Sequence, residues 1–180
     1  NVINCYYHAR GKYFFNLFDD DLILRSETLS YLYQIATKYR PGLIKIGAIF
    51  YFEKYENIKD IYKGFLFDNP LEIIKKNDLD FVQKISSKSL EFGSGTVVLV
   101  DKKKLKLLNE KDILYYNLAY YYNLIKNFGA VIVGNHYILG RFFVTGHMVY
   151  DFLEPAFSLN TQLDIAKKYI YDEKHYDMFA

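Results

Sequence analysis

The sequence is poor in the residues and motifs by which several large protein classes are recognised. Its 180 residues include one cysteine, Cys5, three prolines and no tryptophan. A single cysteine excludes an internal disulfide framework and suits a reducing compartment, so we expect a cytoplasmic protein. The longest uncharged apolar run, residues 128–140, is well short of the roughly 20 residues that span a bilayer. With no visible signal peptide either, we expect no membrane span.

An excess of charge of one sign is also lacking. The chain has 23 basic and 21 acidic residues and a net charge of +2, which provides no overall field that would favour nucleic-acid binding. The basic run from Lys102 to Lys106 follows a predicted strand, and we interpret it as a solvated turn. Asp19, Asp20 and Asp21 would suit Mg²⁺, but alternating side chains cannot all face one ion, so they too are interpreted as a solvated turn.

What the sequence does contain is a globular proportion of hydrophobic residues, 51%, beside 24% charged residues. Such a composition is typical of a folded chain, and the length favours one domain over residues 1–180. The first residue is Asn1 rather than Met, which is consistent with a piece of a longer protein. The 19 tyrosines and 15 phenylalanines, which accompany many Lys, Asn and Ile residues, are typical of a low-GC genome. We expect these rings at the core boundary, or else at contacts with a protein partner.

Hydrophobic periodicity predicts helices that alternate with apolar strands. A helix follows Ser26 and ends before Pro41-Gly42, with Leu29, Leu32, Ala36 and Tyr39 at helical spacing. Almost continuously apolar strands, as in a sheet covered on both faces, are predicted at 43–53, 96–100 and 130–133. A long helix begins at Asn109 or Asp112 and ends at Gly129. The other predictions are antiparallel strands at 2–8 and 13–18, a short helix from Pro70, a helix near 79–85, a strand or hairpin at 137–144 and a helix at 161–171. Together they predict one α/β domain with a central mixed, mostly parallel sheet flanked by helices.

No complete catalytic or metal-binding motif is present. The chain has no G-x-G-x-x-G, no phosphate loop with Gly-Lys-Ser/Thr and no G-x-S-x-G elbow, which removes the common dinucleotide, NTPase and hydrolase interpretations. Cys5-x-x-His8 is half of a zinc spacing without the second pair of ligands, so no metal site is predicted and no cofactor is named. His136 or His147 would be the general base, with an Asp as its partner, if the chain is an enzyme of an unrecognised family.

The turn Gly93-Ser94-Gly95-Thr96 is a candidate for anion binding. Two glycines and two hydroxyls directly before a buried strand can present backbone N–H groups to an anion or a nucleotide. The alternative is a helix C-cap followed by a tight turn.

Three segments around this turn occur in a recognisable order after the helix that follows Ser26. They are Ile46-Gly47-Ala48 in a strand that reaches Glu53, Lys63-Gly64-Phe65-Leu66-Phe67-Asp68, and Ser94-Gly95-Thr96 before the next buried strand. The order resembles the diadenylate cyclase domain of bacteria and archaea over residues 26–144. In that family an Ile-Gly-Ala strand follows a helix, a Gly-Gly-Phe-like stretch ends in Asp, and Asp-Gly-Ala precedes the next strand.

The resemblance implies a nucleotide site whose candidate residues are Gly47, Gly64, Phe65, Ser94, Gly95 and Thr96. This chain departs from the family at the charged positions, because Ser94 replaces the Asp and residues 112–117 contain no Arg-His-Arg. Those changes remove the groups expected to manage metal and phosphate charge. We therefore expect a non-catalytic sensor that binds a nucleotide or a similar anion. The alternatives are an interaction subunit of a larger assembly and the unrecognised enzyme.

Overall fold

A computed structural model of the protein describes residues 2–19, 21–54, 57–62, 66–76, 78, 93–105 and 116–143. The helices in these ranges are α1 (Val2–His8), α2 (Thr28–Tyr39), α3 (Lys102–Leu105) and α4 (Tyr116–Phe128). The strands are β1 (Tyr13–Asn16), β2 (Leu22–Ile23), β3 (Leu43–Lys54), β4 (Asn57–Tyr62), β5 (Leu71–Ile74), β6 (Thr96–Leu99) and β7 (Ala130–Phe143). No helix in these ranges is long and apolar enough to cross a membrane.

The seven described strands form one mixed sheet. Its main path is β1-β6-β3-β7-β2, while β4 pairs with β3 and β5 pairs with β7. Among the described strands, β3 and β7 are the one parallel pair, and the other five pairings are antiparallel. The prediction of an α/β protein with a mixed sheet flanked by helices is confirmed, whereas the prediction that the sheet is mostly parallel is wrong.

The error has a physical reason, which is that helices cover both faces of this sheet. Continuous apolar runs are typical of parallel strands because such strands are usually buried on both faces. Here α2 packs on one face and α4 packs on β3 and β6, so antiparallel strands need apolar residues on both faces as well. The sequence therefore indicates burial without indicating strand direction.

The two faces differ in chemistry. Because side chains alternate along a strand, Ile44 and Ile46 of β3 lie on the α2 face, where they join a cluster of apolar residues. That cluster comprises Leu32, Ile35, Ala36, Ile44, Ile46, Ala48, Phe50, Val97, Val131, Val133 and Ile138. On the α4 face, buried polar side chains occupy three adjacent strands at Asn16, Thr96 and Lys45, and Thr96 is the register partner of both others. We refer to these three residues as the polar row.

An insertion divides β7 into two halves. Ile46 of β3 pairs with Val133, and the next residue, Gly47, pairs with Tyr137. The extra residues are Gly134, Asn135 and His136. Gly134 is required there because a Cβ would collide with the backbone oxygen of Asn69. The first half of β7 borders β5 and the second half borders β2.

Most of the predicted elements within the described residues are confirmed. These are the helix after Ser26, a strand within 13–18 that ends at Asn16, the strands at 43–53, 96–100 and 130–133, and the C-terminal part of the long helix, which Gly129 ends with φ of 75°. The predicted start of the long helix, at Asn109 or Asp112, lies outside the described residues. The predicted strand at 137–144 is confirmed as a continuation of β7. The predicted helices near 79–85 and at 161–171 lie outside the described residues.

Two element predictions are wrong. Residues 2–8 form α1 rather than a strand, and α1 buries Tyr6 against Phe14 of β1 with ring centroids 5.2 Å apart. The segment after Pro70 forms β5 rather than a helix, because it pairs with the first half of β7. In both places tertiary packing overrides the local preference that the sequence indicates.

Candidate functional site

The connection between β1 and β2 spans the sheet. These strands lie at opposite ends of the main strand path, and we refer to residues 17–21, which join them, as the crossing segment. The path from β1 to β2 crosses four strand spacings, which amount to about 19 Å. The six residue steps from Asn16 to Leu22 reach roughly 20 Å when fully extended, so the connection has almost no length to spare. The segment also contains a turn, because Asp21 N–H donates to Phe18 O over 3.2 Å. The sheet must therefore curl to bring β2 within reach of β1.

The turn Gly93–Thr96 holds the crossing segment. Phe18 N–H donates to Ser94 Oγ over 3.3 Å, and Gly95 N–H donates to Asn16 O over 2.9 Å. The Phe18 ring lies against Gly93, where a Cβ would be 3.1 Å from the ring atom Cζ. The turn and the crossing segment are thus a single hydrogen-bonded unit at the end of β1 and β6.

The carboxylates of the crossing segment have unequal environments. Asp19 is exposed, whereas Asp21 is only 7% exposed. A Cβ at Gly140 would lie 3.0 Å from Asp21 Oδ1 and 2.7 Å from the Phe50 ring, so glycine leaves room there for both groups. The interpretation of the three aspartates as a solvated turn is therefore wrong for Asp21, because the segment crosses the sheet and packs on β7. Asp20 lies outside the described residues.

Lys45 supports the turn from within the sheet. Its side chain is fully buried, and Nζ donates to Ser94 O and to Thr96 Oγ1, each over 3.0 Å. Such acceptors are required because a buried ammonium without hydrogen bonds costs several kcal/mol. Sequence reasoning missed this residue. The available signal was a lysine inside an otherwise apolar strand.

A hydroxyl network continues the polar row toward the helices. Asn16 Nδ2 donates to Tyr6 OH over 2.6 Å and to Tyr121 OH over 3.1 Å, and the two hydroxyls are 3.2 Å apart. Burial raises the pKa of both Tyr6 and Tyr121, so these phenols stay protonated at neutral pH. The network links α1 and α4 to β1 and holds Asn16 in place. The backbone carbonyl of Asn16 in turn accepts the hydrogen bond from Gly95 N–H.

Four of the six predicted ligand-binding residues lie next to one another. Ile46 N–H donates to Gly95 O over 3.0 Å, which brings Gly47 beside Ser94, Gly95 and Thr96. Gly95 has φ of 69°, as in a tight turn. Gly64 and Phe65 lie outside the described residues, so the nucleotide site that combines all six stays a prediction.

His136 lies in the insertion of β7 and is buried. Its Nδ1 is 2.9 Å from Thr28 Oγ1, and its ring stacks on Tyr31 at a centroid distance of 4.5 Å. Burial, followed by the charge of Arg25, lowers the pKa of His136, and Glu27 opposes this effect. These partners all belong to α2 or to the residues before it. The general-base role of His136 stays a prediction, and His147 lies outside the described residues.

The described part of the chain contains no group of three His, Cys, Asp or Glu side chains that could hold a metal ion. Cys5, the first residue of the Cys5-x-x-His8 motif, is exposed. Within the described residues, the crossing segment contains two carboxylates, the exposed Asp19 and the buried Asp21.

Comparison with known proteins gives a likeness of fold. No protein-family model and no curated protein matches the chain. Among solved structures, the chain is similar to the crystal structure of S. aureus TarS 1–349 in complex with UDP, with a TM-score of 0.52 and 11% sequence identity. The likeness covers 97% of this chain and 46% of that chain. This chain thus spans about half the length of the TarS chain, and at this identity the likeness shows the fold alone.

Proposed function

We propose that this chain is the diphosphate-binding part of a transferase that uses a nucleotide-linked donor. The observation that carries the proposal is the fold that 97% of this chain shares with a structure in complex with UDP. Nucleotide binding was already the expectation from the sequence. The proposal moves the contact with the ligand from the Ser94 turn to the crossing segment, and it makes the domain part of an enzyme rather than a sensor.

The carboxylates of the crossing segment support the location. A diphosphate is repelled by bare carboxylates but is attracted to a divalent cation that carboxylates hold. Mg²⁺ is usually bound through one or two carboxylates together with phosphate oxygens, so Asp19 and Asp21 are sufficient protein ligands. Asp21 is buried beside Gly140 while Asp19 is exposed, so Asp19 is the carboxylate that a diphosphate approaching from solvent would meet first.

The reaction class follows from the chemistry of a nucleoside diphosphate. UDP is the leaving group when an activated sugar is transferred from it to an acceptor, and negative charge develops on the diphosphate as the glycosidic bond breaks. A cation at Asp19 and Asp21 would stabilise that charge in the transition state more than in the ground state, which is the condition for catalysis. We therefore propose glycosyl transfer, with the nucleoside and the acceptor bound by residues other than those of the crossing segment.

The experiment measures UDP binding by calorimetry with Mn²⁺ and with EDTA, for the wild-type protein and for Asp19→Asn and Asp21→Asn. We expect UDP to bind only with Mn²⁺, and each variant to weaken binding on the order of tenfold or more, as losses at metal sites do. Glu27→Gln is the matched control, since Glu27 is an exposed carboxylate outside the crossing segment, and it should bind as the wild type does.

Two further ligands separate the competing functions. Release of UDP from UDP-linked sugars would support a transferase, while nucleotide binding without release would return the sensor of the sequence analysis. Tighter binding of cyclic di-AMP than of UDP would favour the cyclase resemblance. If neither nucleotide binds, the proposal is wrong.

A further inference from the structure

Five strands begin or end along one edge of the sheet. The parallel strands β3 and β7 begin there, with Leu43 and Ala130 as register partners, and Ala130 also pairs with Ile74, the last residue of β5. Val100 N–H, just after β6, donates to Lys12 O, just before β1, over 2.9 Å. The strands follow the order β1-β6-β3-β7-β5 along this edge, so four strand spacings make it about 19 Å wide.

Basic residues flank these strand ends. Tyr13 OH donates to Pro41 O over 3.0 Å, which keeps the end of α2 beside the start of β1. Lys126 precedes β7 and is half-buried. The other flanking basic residues are exposed, and we refer to them as the basic edge: Lys12, Lys38, Arg40, residues 75–76 and residues 102–103.

The positive charge of the basic edge is not neutralised by salt bridges. None of its residues forms an ion pair with a residue that the structure describes. The neighbouring carboxylate of Asp101 accepts instead from the backbone N–H groups of Lys103 and Lys104, over 3.0 and 3.2 Å. Lys38 complements the partial negative charge at the C-terminus of α2, but that effect does not account for Lys12 or for residues 75–76. The net charge of +2 is therefore unevenly distributed over the protein.

The groups around the basic edge are poorly suited to a nucleic acid. Lys12 Nζ lies over the Tyr13 ring, 6.0 Å from its centroid, and Lys38 Nζ lies over the Tyr39 ring at 5.0 Å. One face of each ring is thus occupied by an ammonium group and is not free to stack on a base. Helices α2 and α4 also end at this edge, so they present carbonyl groups there, whereas helix N-termini are the ends that hold phosphates.

We propose that the basic edge attaches the protein to an anionic lipid surface. Lipid headgroups present negative charge over a plane without a fixed pattern, which long lysine side chains can meet without a precise geometry. Phe128 is 37% exposed at the same edge, with Lys104 Nζ 6.0 Å from its ring centroid. An aromatic ring among lysines is typical of segments that bind at a membrane interface. This inference goes beyond the proposed function and does not depend on it.

The test is sedimentation of the protein with vesicles of phosphatidylcholine, with and without phosphatidylserine, at low and at high salt. Lys102→Gln removes one charge from the basic edge, and a combined variant replaces residues 75–76 and 102–103 with Gln. Arg25→Gln is the matched control for the single substitution, because Arg25 is an exposed basic residue outside the basic edge. Thermal unfolding of each variant checks that these surface substitutions leave the fold intact.

We expect the wild type to bind only vesicles that contain phosphatidylserine, and to bind them less at high salt. Lys102→Gln should weaken binding about fivefold, the combined variant should abolish it, and Arg25→Gln should bind as the wild type does. Equal losses in Arg25→Gln and Lys102→Gln, or no binding to either vesicle, would overturn the proposal. Tighter binding to RNA or DNA oligonucleotides than to the vesicles would also overturn it. None of these outcomes depends on UDP, so the proposed function can stand or fail separately.

Discussion

The two faces of the sheet are built from the same strands, but one is apolar and the other contains buried polar side chains. The α2 face is filled by aliphatic side chains such as Ile44 and Val97, which need only fit one another. The α4 face places Asn16, Thr96 and Lys45 in the interior, where every polar group needs a partner. One face therefore supplies packing, while the other determines where particular backbone groups lie, including those of the Ser94 turn.

The largest effect should come from a cavity on the α2 face. Ile44 is fully buried, and Ile44→Ala should lower the free energy of unfolding by about 2–5 kcal/mol through lost burial and an unfilled cavity. Urea denaturation measures the change. Ile73→Ala is the control, because Ile73 is 48% exposed. This substitution should lower the free energy of unfolding far less. Similar losses in the two variants would contradict the assignment of the α2 face as the main packing interface.

A smaller loss is expected from the polar row. Asn16→Ala removes the donor to Tyr6 OH and Tyr121 OH, and it should lower the free energy of unfolding by about 1–3 kcal/mol. Asn127→Ala is the control, since Asn127 is exposed and hydrogen-bonds only within α4. If denaturation curves of Asn16→Ala and the wild type coincide, the hydroxyl network does not stabilise the α4 face.

The smallest effect concerns the pH dependence contributed by His136, beside the α2 face. Its pKa is lowered from 6.5 in the folded protein, so it is neutral in both folded and unfolded states well above that pH. As the pH falls below 6.5, the unfolded chain binds a proton before the folded protein does, and stability decreases until the folded pKa is reached. The slope contributed by one group is at most about 1.4 kcal/mol per pH unit.

Denaturation at about pH 7.5 and at about pH 5.5 tests this sign. His136→Gln should lose less stability over that interval than the wild type does, even if it is less stable at both values. An equal or steeper loss in the variant would show that His136 is not the group responsible.

The sequence predicted the α2 face better than the α4 face. Leu32 and Ala36 recur at helical spacing and are buried as predicted, although Leu29 is 54% exposed. Strands 43–53, 96–100 and 130–133 were found because continuous apolar runs indicate burial. The directions of these strands could not be predicted, because apolar residues on both faces suit parallel and antiparallel neighbours alike when helices cover both faces.

The candidate site was harder to predict, because it depends on contacts between distant segments. The aspartates were interpreted with the alternation of a regular strand, but the turn from Phe18 to Asp21 breaks that alternation. Lys45 has its acceptors about fifty positions along the chain, at Ser94 and Thr96, and no local pattern links them. The Ser94 turn was singled out for its composition, which does not indicate whether its groups face a ligand or the protein.

The insertion in β7 shifts the register of the strand, and with it the face of the sheet on which each later side chain lies. Before the insertion, the odd-numbered Val131 and Val133 face α2, and after it the even-numbered Ile138 does. The three extra residues therefore change which residues of β7 face α2, from odd-numbered to even-numbered positions. Because side chains alternate, deletion of one residue from this insertion would reverse this change. Arg141 would then occupy the place of Gly140, where a side chain has no room beside Asp21. The length of the insertion, far along the sequence from Asp21, therefore determines whether Asp21 can pack against β7.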